Sequence, residues 1–116
     1  MFNIKFYESE NGKKPVVDFI NGLNVKMKVK ALDSITILAE YGNQLRKPYS
    51  EYLGDGLFEL RIKFATDITR IFFFFYSEEK IILTNGYIKK SNKTSQREME
   101  LARKYKADYE RRHENE

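Results

Sequence analysis

The sequence contains no cysteine, no tryptophan, only two prolines and a single histidine, His113, which lies in a charged segment near the end. Without cysteine, the chain can form no disulfide, no thiolate metal site and no cysteine nucleophile. One histidine cannot build a multi-histidine metal site, and a serine–histidine triad is excluded by its place in the tail. No apolar run approaches the ~18 residues of a spanning helix, and residues 1–10 lack the order of a signal peptide. We therefore expect a soluble, cytoplasmic protein.

The length and the composition predict one domain with one core. The chain has 116 residues, 41% of them hydrophobic, which suits a single domain over residues 1–116. Lysine and arginine number 21 against 17 aspartates and glutamates, for a net charge of +4. Residues 86–112 hold nine basic and four acidic side chains, so the positive excess is concentrated there and is compatible with an anionic partner.

The first half of the chain has the patterns of a strand and two helices. Apolar and polar residues alternate over residues 1–7, which predicts a strand with one buried face. Pro15 fits the first turn of a short helix that ends near residue 22. Apolar residues three and four apart predict a longer helix over residues 25–42, which forms a hairpin with the first. Residues 43–56 keep no period and are predicted to be a connecting loop.

The second half predicts three strands and a final helix. Period-two alternation returns in three segments, residues 58–64, 68–76 and 81–89. Ser95 and Glu98 form a capping box for a helix that continues to about Arg112, and we expect the charged tail to fray from about residue 110. The order β-α-α-β-β-β-α predicts an α+β fold, with the helical hairpin and the C-terminal helix packed on an antiparallel sheet.

Strand register brings cationic residues together. A four-residue loop after Tyr76 pairs that residue with Ile81 and places Tyr87 opposite Arg70. In the preceding hairpin, the register that pairs apolar side chains with each other places Arg61 opposite Arg70. We call Arg61, Arg70 and Tyr87 the arginine row. It is predicted to lie on the sheet face away from the main core.

The arginine row suits a phosphate ligand. Two opposed arginines repel each other, which costs stability unless an anion lies between them. Arginine binds phosphate oxygens with two donors, and a tyrosine can orient a ribose or stack under a base. Lys63 and Lys89 are predicted to lie close by. From geometry alone, an ordinary solvated surface is the favoured interpretation of the same residues, because surface sheets often carry arginine and tyrosine.

A second basic cluster follows the last strand. Lys89, Lys90 and Lys93 are followed by Arg97 in the first turn of the final helix, where the helix dipole disfavours cations. This pattern indicates either a mobile phosphate-binding rim or a solvated turn. The lysines of the long helix are interpreted as solvated surface.

Several segments together resemble the RelE/HigB superfamily, and more narrowly its phage-derived, HigB-like branch. They are PVVDFI at residues 15–20, the loop at Gly42 and residues 45–48, GLFELR at 56–61, TRIFFF at 69–74 and GYIKKSNKTS at 86–95. The resemblance covers about residues 2–107. It implies the compact RelE/ParE-like fold of toxins from type II toxin–antitoxin systems.

The resemblance also implies an activity, which is ribosome-dependent cleavage of mRNA without a metal or another cofactor. The catalytic positions that it implies are Arg61, Arg70, Tyr87, Lys89 and Lys90. We further assign RNA binding to Lys63, Lys93 and Arg97. The chain departs from the family where it has no histidine near this site and has Ser95 where proline is frequent. The general base is therefore unassigned, since lysine and tyrosine are poor bases unless their pKa values are lowered.

The partners implied are a cognate helix-turn-helix antitoxin of the HigA type, the ribosome and mRNA. DNA is expected only through the antitoxin complex, and no membrane is expected. Two alternatives remain open. One is a ParE-like inhibitor of DNA gyrase, and the other is a module that binds RNA or a partner without catalysis.

Overall fold

The computed structural model describes residues 1–115, which form five strands, three α-helices and one 3-10 turn. The strands are β1 (Asn3–Phe6), β2 (Ser50–Gly54), β3 (Leu57–Phe64), β4 (Asp67–Tyr76) and β5 (Lys80–Lys89). The helices are α1 (Pro15–Asn21), α2 (Val25–Tyr41) and α3 (Gln96–Arg112), and the 3-10 turn is Gly42–Gln44. None of the three helices has the length and apolarity needed to cross a membrane.

The five strands form one sheet in the order β1-β5-β4-β3-β2. The predicted α+β class is confirmed, with two corrections. β2 lies in the stretch predicted to be a loop, and it pairs antiparallel with β3 across a turn at residues 54–56. The Asp55-Gly56 dipeptide, which is typical of hairpin turns, is the sequence feature that indicates this hairpin. β1 runs parallel to its neighbour β5. The helices return the chain to the end of the sheet at which β1 finishes, and the direction then alternates through the antiparallel pairs β2–β3, β3–β4 and β4–β5.

Helices cover both faces of the sheet. α1 and α2 pack on one face, where the largest apolar cluster includes Leu38, Leu60 and Phe73. α3 packs on the other face, against Phe72 and Phe74 of β4. The central strand is therefore apolar on both sides, as its sequence indicates. The arginine row shares the face that α3 covers, which limits its exposure.

The predicted register is confirmed where it matters for the arginine row. Arg61 pairs with Arg70, and Arg70 pairs with Tyr87. The predicted pairing of Tyr76 with Ile81 is wrong, because Tyr76 pairs with Lys80. A bulge at residues 84–85 inserts one extra residue into β5, so the two halves of this hairpin differ in register by one residue.

The C-terminal end of α3 is tied to the start of the chain. The helix continues to Arg112, beyond residue 110 where fraying is expected, and the His113 ring stacks on Tyr109 with ring centroids 3.8 Å apart. The Tyr7 hydroxyl donates to Asp108 Oδ2 over 2.6 Å. Burial, together with the Asp108 carboxylate, raises the pKa of Tyr7 to about 12. The hydrogen bonds from Tyr7 and Arg112 lower the pKa of Asp108 to about 2.

We expect Asp108→Asn to remove part of the acid sensitivity of folding. A carboxyl group whose pKa is lower in the folded state stabilises the fold above its unfolded pKa, and that stabilisation is lost as the pH falls through the folded value. The free energy of unfolding of the wild type should therefore exceed that of the variant by its full amount at pH 7, and this advantage should shrink between about pH 4 and pH 2. Urea unfolding at several pH values measures it, with Asp33→Asn, an exposed carboxylate of α2, as the control. An advantage that stays constant over this range would contradict the prediction.

Candidate functional site

The arginine row is built from one residue of each of three neighbouring strands. Arg61 lies on β3, Arg70 on β4 and Tyr87 on β5, directly opposite one another. Because side chains alternate between faces, all three point to the side on which α3 packs. Lys63 and Lys89 flank the row, since both are paired with Ile68 one step along the sheet. The cationic residues predicted to converge on this face do so.

An internal anion lies between the two arginines. Glu59 is fully buried, and its Oε1 accepts hydrogen bonds from Arg61 Nε at 2.7 Å and from Arg70 Nη1 at 2.8 Å. Glu59 occupies the place expected for a phosphate, so the chain itself relieves the repulsion between the arginines. Glu59 lies two residues before Arg61 on the same strand, and period two was the signal that it shares their face.

Arg70 is buried, which corrects the expectation that both arginines lie on an open face. Its side chain has no exposed surface, and the backbone of the connection between β5 and α3 contacts it at Ser91. Nη1 binds Glu59, and Nη2 donates to the Ser91 carbonyl oxygen. Nε is the one nitrogen of this guanidinium with no hydrogen-bond partner among residues 1–115. Arg70 is thus part of a buried polar network.

Arg61 is the arginine of the row that reaches solvent. Its side chain is 22% exposed, and Nη2 lies 2.6 Å from Glu51 Oε2. Nη2 also donates to the Asn92 carbonyl oxygen over 3.2 Å. Glu51 lies on β2, the strand that sequence analysis missed, and Lys47 Nζ lies 3.3 Å from its other oxygen. Arg61 can therefore present part of its guanidinium to an anionic ligand.

Tyr87 is fixed by its ring and by its hydroxyl. The ring lies nearly parallel to Phe72, with centroids 5.8 Å apart, and the hydroxyl oxygen accepts the Ser95 N–H over 2.8 Å. Burial raises the pKa of Tyr87 above its ordinary value, and the bond from Ser95 opposes this only in part. A general base at neutral pH needs a lower pKa, so Tyr87 stays protonated and is suited to hydrogen bonding and stacking.

The other basic residues predicted for catalysis or RNA binding are mostly exposed. Lys63, Lys90, Lys93 and Arg97 are exposed, and Lys89 is half-buried. The turn that carries Lys90 and Lys93 was predicted to be either a mobile phosphate-binding rim or a solvated turn, and its backbone is hydrogen-bonded to both arginines. The lysines thus extend from an ordered segment.

A cleft of about 330 Å³ adjoins Arg61 at the edge of the sheet. Lys30 of α2 and Lys63 of β3 line it together with Tyr49. Lys30, interpreted from the sequence as solvated surface, donates to the Lys63 carbonyl oxygen over 3.3 Å. The cleft widens the basic surface beyond the arginine row. Residues 1–115 contain no group of three or more histidine, aspartate or glutamate side chains placed to hold a metal ion.

The fold is consistent with that of a RelE-like toxin domain. A family model described as "Phage derived protein Gp49-like (DUF891)" matches residues 18–107, which is most of the chain. The chain therefore belongs to this family, a RelE-like toxin family of toxin–antitoxin systems. Membership implies an antitoxin partner. A comparison with curated proteins found no match.

Proposed function

We propose that the chain is the toxin of a type II toxin–antitoxin system and acts as a metal-independent, ribosome-dependent mRNA endonuclease that inhibits translation. The observation that carries the proposal is Arg61, a partly exposed arginine that shares its sheet face with the exposed Lys63 and is hydrogen-bonded to the turn that carries the exposed Lys90 and Lys93. Membership in a RelE-like toxin family supports the same activity.

The proposed reaction is transfer of the mRNA phosphodiester to its own ribose. The 2′-oxygen bonds to phosphorus as its proton leaves, and the bond to the 5′-oxygen breaks as that oxygen gains a proton. Negative charge develops on the two non-bridging oxygens, where Arg61 supplies charge-assisted hydrogen bonds. We assign to Tyr87 the orientation of the ribose or base, and to Lys89 and Lys90 the stabilisation of charge around the reacting phosphate. Lys63, Lys93 and Arg97 bind neighbouring phosphates of the message in this proposal.

A second candidate is a toxin of the same fold that binds its target without cutting RNA, as a ParE-like gyrase inhibitor or a non-catalytic binding module does. The observation that favours it is Glu59, which neutralises both arginines. The exposed lysines favour the nuclease, because the buried ion pair does not explain them.

Primer extension on one message after induction in cells separates the two candidates. We expect discrete, in-frame cuts in the translated message and none in a copy without a start codon. Co-expression of the product of the neighbouring reading frame, which we propose to be a HigA-like helix-turn-helix antitoxin, should remove the cuts. We expect that protein to cover the basic surface of β5 and α3 and to bring the toxin to DNA. Intact messages together with altered DNA supercoiling would instead support the gyrase inhibitor.

A further inference from the structure

Residues 90–94 connect β5 to α3 and close over the arginine row, and we call them the latch loop. The Ser91 carbonyl oxygen accepts a hydrogen bond from Arg70 Nη2. The Asn92 carbonyl oxygen accepts one from Arg61 Nη2 over 3.2 Å. Thr94 Oγ1 lies 3.1 Å from Glu59 Oε2 and donates to it. Three of the five residues of the loop are thus bound to the same charged group of side chains.

Glu59 is the centre of this group. Its Oε1 holds both guanidinium groups, and its Oε2 accepts the Thr94 hydroxyl. Each arginine in turn holds one carbonyl oxygen of the loop. The three hydrogen bonds that the loop makes to these side chains therefore involve either Glu59 or an arginine that Glu59 orients. The carboxylate is fully buried, so a phosphate from outside cannot reach it without opening the fold.

The backbone of the latch loop is bound to buried charges, whereas its two lysine side chains reach solvent. Lys90 and Lys93 are exposed, and Lys93 directly follows Asn92, whose carbonyl contacts Arg61. A short polar turn with exposed side chains and no apolar anchor has little of its own to order it. The buried charges supply that order, and they hold the two lysines beside the arginine that reaches solvent.

We infer that Glu59 is a positioning residue that fixes the latch loop and so holds Lys90 and Lys93 in place for the phosphates of single-stranded RNA. This inference rests on the proposed function and adds a role for a residue that touches no substrate. Ordering the lysines before RNA binds lowers the entropic cost of binding, because fewer side chains and less backbone must then be immobilised.

Thr94→Val tests this inference without breaking the buried ion pair, since it removes only the hydroxyl that donates to Glu59. The first measurement is trypsin cleavage after Lys90 and Lys93 in the protein alone, which follows local opening of the loop. The second is the affinity for a single-stranded RNA whose 2′-oxygens are methylated, so that it cannot be cut. Thr94→Ser keeps the hydroxyl, and Thr66→Val makes the same change in the exposed turn between β3 and β4.

We expect Thr94→Val to be cleaved about fivefold faster in the loop and to bind the RNA up to about fivefold more weakly, the factor typical of one lost hydrogen bond. Thr94→Ser and Thr66→Val should match the wild type in both measurements. Unchanged cleavage in Thr94→Val, or faster cleavage with unchanged RNA affinity, would overturn the positioning role while leaving the proposed function intact. A wild-type protein that does not bind the RNA would overturn the positioning role, while the primer-extension experiment decides the proposed function separately.

Discussion

Replacing Arg61 with alanine is expected to slow RNA cleavage by about 10²–10³-fold, the usual loss when one donor to a developing oxyanion is removed. Arg61 combines a contact to the buried Glu59 with exposed surface from which it can reach a phosphate. In the proposed reaction, its hydrogen bonds to the phosphorane oxygens become stronger as negative charge develops, so we expect their loss to raise the barrier more than it weakens binding.

The Arg61→Ala variant should stay folded. Glu59 loses the hydrogen bond from Arg61 but keeps those from Arg70 and Thr94, so the buried carboxylate stays paired. The other lost ion pair, with Glu51, is partly exposed, a class of contact worth about 0–1 kcal/mol. Cleavage rates in a ribosome-containing translation reaction, compared with thermal unfolding, measure the two effects separately. Arg111→Ala, at the far end of α3, removes an equally charged side chain as a control. A variant that is folded and fully active would refute the assignment of Arg61.

The order of elements could be predicted because each one carries its own local pattern. Period-two alternation defined β3, β4 and β5, and the capping box at Ser95 placed the start of α3, where the Ser95 side chain accepts the Glu98 N–H. The pairing of Arg61 with Arg70 followed from matching apolar faces. These features depend on residues close in sequence or on one adjacent strand, which is the range over which such patterns carry information.

The burial of the site could not be predicted in the same way. Whether Arg70 faces solvent depends on where α3 packs and how residues 90–94 return across the sheet, and both are long-range consequences of the whole fold. β2 was missed because it is a five-residue edge strand that gains order only from its pairing with β3. Glu59 was overlooked because its contact with Arg70 depends on the burial of both side chains, which a local sequence pattern does not show.

Breaking the buried ion pair is expected to cause the largest loss of stability. Arg70→Ala leaves the carboxylate of Glu59 buried with only Arg61 and Thr94 as partners, and Glu59→Ala leaves Arg70 buried without its counter-ion. Removing one partner of a buried pair typically costs about 3–5 kcal/mol, because the remaining charge is uncompensated. We therefore expect either variant to unfold at much lower urea concentration than the wild type, contrary to what an open sheet face would imply.

The double variant Glu59→Leu with Arg70→Met distinguishes the loss of a charged partner from the loss of side-chain packing. Both replacements are apolar and similar in size to the residues they replace, and such exchanges of a whole buried pair are often neutral or stabilising. The double variant should therefore be more stable than either Glu59→Leu or Arg70→Met alone, with a coupling of about 3 kcal/mol, near the upper end for contacting residues. Urea unfolding of the four proteins completes the cycle. If the losses of stability in the two single variants simply add up in the double variant, the two side chains stabilise the sheet independently, as packing elements and not as an ion pair.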